Sequence, residues 1–104
     1  MLDYKICKEL KDAGLPQDRS GNYYDEKGNE CIGTIGKEGS YIPILEELID
    51  ACGDRLDGIR KTYKLNENKF KITGWEAWSF TDIKCYGKTA KIAVAKLVLK
   101  LKVK

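Results

Sequence analysis

The sequence predicts an α+β fold, an antiparallel sheet with helices packed on one face, in the order α-β-β-α-β-β-β-α. Three observations lead there. Three segments repeat apolar residues at helical spacing, the stretches between them alternate apolar with polar residues, and Gly, Pro or Asn marks the changeovers. At 104 residues, with 42% hydrophobic and 34% charged residues, the chain is long enough to bury one modest core. Residues 1–104 are therefore read as a single α+β domain.

The first helix is expected over about 3–13. Asp3 is placed to cap it, and Leu2 to staple onto its first turn. Ile6, Cys7, Leu10 and Ala13 recur at helical spacing until Gly14, Leu15 and Pro16 stop the run. Residues 17–21 read as loop. Segments 22–25 and 30–35 flank Glu26-Lys27-Gly28-Asn29 and predict a hairpin, followed by a flexible connection over 36–40. Pro43 opens the second helix and Gly53 ends it. Leu45, Leu48, Ile49 and Cys52 lie at i, i+3, i+4 and i+7, while Glu46, Glu47 and Asp50 face away and suit the helix dipole.

Strands are expected at 59–65, 69–73 and 75–80, with a turn at 66–68; residues 83–86 either finish the last strand or start a short one. Phe70 and Ile72 alternate with Lys69, Lys71 and Thr73, which predicts one buried and one cationic face. Gly74 marks a tight turn or bulge. The tail reads two ways. As a helix capped by Thr89 it sets Ala90, Val94, Leu97, Val98 and Leu101 on one stripe; as a strand from Leu97 it alternates leucine and valine with lysine. Ala90, Ala93 and Ala95 favour the helix, with 102–104 frayed.

Charge is divided between the halves. Residues 1–58 carry a net charge of −6 and residues 59–104 a net of +9, and segment 87–104 holds six lysines and no acid. Segregated charge acts on partners rather than on fold, so self-association or steering toward another protein is expected. The candidate ligand- or nucleic-acid-binding residues are Lys69, Lys71, Lys88, Lys91 and Lys96, with Trp75 and Trp78 as aromatic platforms on opposite strand faces. Lys88, Lys91 and the open N–H groups of the last helix converge where an anion would bind. Gly87-Lys88-Thr89 is not a P-loop, because the preceding glycines are missing. From the second helix onward the order is that of double-stranded-RNA-binding domains, yet Glu46, Glu47 and Asp50 would face the RNA.

Several chemistries are disfavoured. The chain has no histidine, which removes the commonest general base and metal ligand. Cys7, Cys31, Cys52 and Cys85 never form C-x-x-C and read as free thiols. No serine sits in a Gly-x-Ser-x-Gly elbow. No enzyme activity, metal or cofactor is therefore expected. No apolar run approaches the ~20 residues that span a bilayer, and the charged N-terminus lacks a signal-peptide core, so no membrane partner and a cytoplasmic setting are expected.

Three pieces, YIPILEELIDACGD (41–54), GWEAWSF (74–80) and GKTAKIAVAKLVLKL (87–101), together resemble small uncharacterised proteins of tailed bacteriophages and prophages. The likeness extends to the opening helix and fades over 17–40. It departs at the last helix, which such proteins enter as Gly-x-Thr-Pro-Glu-Glu-Ala, whereas Ala90-Lys91-Ile92 follows Thr89 in this chain. The resemblance implies an accessory protein in the cytoplasm of a bacterial host. The expectation is a non-enzymatic binder of a host or phage protein or of a small anionic ligand; the alternative is an RNA- or DNA-binding module built on the basic second half.

Overall fold

Asp3 caps the first helix, its carboxylate accepting the Ile6 N–H at 2.8 Å. In the computed structural model, which describes residues 2–17, 20–36 and 38–102, this helix is α1 (Tyr4–Asp12). Leu2 before it, and Cys7 and Leu10 within it, are buried. The hairpin follows as β1 (Ser20–Tyr24) and β2 (Glu30–Thr34). Asp25 shapes its turn by accepting from the N–H groups of Lys27 and Asn29.

The connection expected over 36–40 ends instead in a two-residue strand, β3 (Ser40–Tyr41), which pairs with β1. The side chain of Gln17 accepts the Tyr41 N–H at 2.8 Å, and the Ile42 N–H reaches Asn22 O at 2.9 Å. The first sheet is thus three-stranded and antiparallel, in the order β2-β1-β3. Tyr24 locks it to the start of the chain by donating its hydroxyl to Leu2 O at 2.6 Å.

Helix α2 (Leu45–Cys52) buries Leu48 and Cys52. Glu47 does not simply face away: its Oε1 accepts from the Ile44 N–H and from the Tyr41 hydroxyl, tying the helix start to β3. A 3-10 turn (Gly53–Arg55) leads into the second sheet, β4 (Leu56–Asn66), β5 (Lys69–Ser79) and β6 (Lys84–Gly87), antiparallel in that order. The segments 69–73 and 75–80, read as two strands, are essentially one. Thr73 is the extra residue of a bulge that keeps β5 paired with β4 on both sides of Gly74. Of residues 83–86, all but Ile83 belong to a separate short strand, β6. Apart from the two-residue β3, the element order is the expected one, with the strands divided between two sheets.

The tail is helical: α3 spans Ala90–Lys102, and Thr89 Oγ1 caps it by accepting the Ile92 N–H at 3.2 Å. Lys102 lies within the helix rather than fraying; residues 103–104 are outside the described part. Helix α3 packs against α1, α2 and all three strands of the second sheet. Such surroundings bury more than one stripe, namely Ala93, Val94, Ala95, Leu97 and Val98, and the two alanines let neighbouring elements approach closely. No helix among the described residues is long and apolar enough to cross a membrane.

Candidate interaction surface

Beyond the reach of α3, the strands β4 and β5 continue as a two-stranded arm. Every described side chain from residue 63 to 73 is exposed. The arm closes through a two-residue turn, Glu67 and Asn68, both at positive φ (48° and 65°), which matches the right-handed twist of the strands. Its ladder sets Tyr63 opposite Ile72, Lys64 opposite Lys71, Leu65 opposite Phe70 and Asn66 opposite Lys69. Since side chains alternate along a strand, one face of the arm carries Tyr63, Leu65, Phe70 and Ile72, and the other carries Lys64, Lys69 and Lys71.

This corrects the sequence reading. Phe70 and Ile72 do form an apolar face opposed to a cationic one, but nothing among the described residues covers it: they are 76% and 52% exposed, and Tyr63 and Leu65 are 57% and 62% exposed. Tyr63 and Phe70 meet edge to face with ring centroids 6.2 Å apart. On the lysine face, the hydroxyls of Thr62 and Thr73 pair at 2.8 Å at the arm's root.

The apolar face is continuous with the face that α3 covers, because β4 alternates without interruption from Ile59 through Lys61 and Tyr63 to Leu65. Trp75, opposite Lys61, is half-buried there, with the Lys61 ammonium 5.5 Å above its ring. Lys88 stands at the same root. A Cβ on Gly74 would lie 2.6 Å from Gly87 O and 3.7 Å from the Lys88 Cα, a closeness that excludes any side chain at Gly74. Lys91 is half-buried on α3, near enough to Cys7 for its charge to oppose the rise that burial causes in that thiol's pKa.

Trp78 lies on the opposite face of the sheet, held on three sides. It rests directly on Gly58, where an added Cβ would stand 2.3 Å from its ring. The Arg60 guanidinium sits 5.2 Å above the ring centroid, and the indole N–H donates to Asp57 Oδ2 at 3.0 Å. Arg60 also pairs with the buried carboxylate of Glu76. The two tryptophans thus sit on opposite faces, as strand alternation requires, and each has a cation over its ring.

Lys96 belongs to a third place. With Lys84, Tyr86, Leu99 and Lys100 it lines a groove of about 490 Å³ between β6 and α3, which Glu9 also borders. The seven residues singled out in the sequence therefore do not form one patch. Lys69 and Lys71 lie on the arm, Trp75, Lys88 and Lys91 around its root and the start of α3, Trp78 on the far face and Lys96 in the groove. Among the described residues none of these five lysines, nor Lys61 or Lys64, has a carboxylate within ion-pair distance.

The sequence reading missed the exposed quartet of Tyr63, Leu65, Phe70 and Ile72, along with Lys61 and Lys64. Their alternation was visible; their lack of cover was not. Cys7, Cys52 and Cys85 are buried, and among the described residues no group of three or more His, Cys, Asp or Glu side chains could hold a metal ion. No protein-family model, curated protein or solved structure matches this chain.

Proposed function

We propose that this chain is a non-catalytic binding module that docks a protein partner through the apolar face of its arm. One observation carries the reading: four large apolar side chains share one face of a ribbon that no other part of the described chain covers. Leaving such a set in water forgoes the main gain of folding, so its natural completion is another polypeptide. Leu65 and Ile72 offer neither a flat ring nor a polar group to a nucleic acid, and both tryptophan rings already carry cations. The likeness to small phage proteins supports a bacterial host protein in the cytoplasm as the partner.

The test is affinity capture from bacterial lysate with the wild-type chain and the Leu65→Asp/Phe70→Asp variant, quantified by mass spectrometry. The wild type is expected to retain a near-stoichiometric partner that the variant loses, with unchanged circular dichroism. Recovery of the same proteins by both chains, or of the wild type alone as a bare monomer, would refute the reading.

A further inference from the structure

The arm's apolar face is the helix-covered face of the second sheet, extended past the first turn of α3. On that face Ala77 and Cys85 are buried in the core and Ile59 of the same row packs against it, while the rows Tyr63–Ile72 and Leu65–Phe70 lie open. The helix layer stops before the sheet does. A two-stranded ribbon, with strands about 5 Å apart and side chains on either margin, has the width of one helix of about 10 Å.

The charge at this step in the layers is one-sided. Lys61 shares the apolar face at its root, with no carboxylate partner among the described residues. The N-terminus of α3 adds the positive end of its dipole. A second copy of the chain would bring the same cations to its own arm, where Lys61, Lys64, Lys69 and Lys71 outnumber Glu67.

Resting on the reading of the arm as docking element, we propose that its occupant is an acidic amphipathic helix of the partner protein. Its apolar stripe lies on Tyr63, Leu65, Phe70 and Ile72, and its carboxylates meet Lys61 at the root of that face. Packing of this kind continues the layer that α3 begins, and recognition follows from an apolar stripe together with the sign of its flanks.

The probe is a fluorescent synthetic peptide of about 18 residues with leucines at i, i+3, i+4 and i+7 and glutamate elsewhere. A lysine-for-glutamate version and labelled single-stranded and duplex oligonucleotides serve as rivals. Anisotropy is expected to show binding of the acidic peptide alone, with helicity rising in the complex. Phe70→Asp or Tyr63→Asp should weaken binding at least about thirtyfold. Lys61→Glu should weaken it roughly three- to fivefold, less so at high salt. No binding of the acidic peptide, or equal binding of both peptides, overturns the proposal. So does oligonucleotide binding that Lys64→Ala/Lys71→Ala abolishes and Phe70→Asp spares. Failure of the peptide with arm-dependent capture from lysate intact removes the acidic helix and leaves the arm as docking element. Loss of both removes both.

Discussion

The root and the arm of β4 and β5 are built from the same kind of sequence and end in opposite surroundings. At the root, Ala77 belongs to the core cluster and Ile59 packs against it, partly buried; on the arm, Leu65 and Phe70 have the same strand geometry and face solvent. Alternation of apolar and polar residues specifies that a strand has two unlike faces. Whether the apolar face is buried depends on how far the helix above it runs, and here α3 starts at Ala90, level with the arm's root. An amphipathic strand is therefore evidence for a covering layer, either in the same chain or in another.

Truncation gives the largest contrast. Leu97 is fully buried where α3 meets its neighbours, so Leu97→Ala leaves a cavity and is expected to cost about 2–5 kcal/mol in urea unfolding. Leu65→Ala, removing the same atoms from the arm, should stay within about 0.5 kcal/mol. A comparable loss at Leu65 would mean that the arm is packed in solution, and the distinction between the two regions would fall.

What was legible in the sequence was local. The caps Asp3 and Thr89, the second helix, the reversal after Asn66 and the bulge beside Gly74 are each written within a few residues, and each stands close to where the spacing placed it. What was not legible depends on distant partners. Ser40 and Tyr41 become a strand because β1 and the Gln17 side chain present hydrogen-bonding groups to them. Segments 69–73 and 75–80 stay one strand because β4 runs on past the bulge. The candidate site shows the same divide. Lys88 and Trp75 could be named from residue type, but their places near the root of the arm follow from the pairing of β5 with β6 and from where α3 begins.

A second contrast is chemical and smaller. Burial is the leading cause that pushes the thiols of Cys7 and Cys52 from an ordinary 9.0 to about 11, with Lys91 and Lys102 respectively opposing it. A thiol harder to ionise in the fold than in the unfolded chain contributes stability that is fully present below pH 9.0 and is lost as pH rises toward about 11. Unfolding free energies measured across that window should fall more steeply for the wild type than for Cys7→Ala/Cys52→Ala. Parallel slopes would show that these thiols ionise as freely in the fold as outside it.

The smallest effect concerns the arm alone. Lys64 and Lys71 are direct cross-strand partners, an arrangement in which like charges repel, and no carboxylate among the described residues relieves it. Lys71→Glu turns the pair into an opposite-charge one and should strengthen the hairpin by about 0.2–1 kcal/mol at low salt, with the gain fading as salt screens it. Global unfolding registers that gain only if arm and root melt together. Amide exchange separates the cases, since a ribbon that opens on its own will show slower exchange at residues 63–73 while the midpoint of unfolding stays fixed. Unchanged exchange at low salt would place the two lysines farther apart in solution than their pairing implies. Slowed exchange confined to the arm would establish it as a separate unit, able to order on a partner without disturbing the core beneath α3.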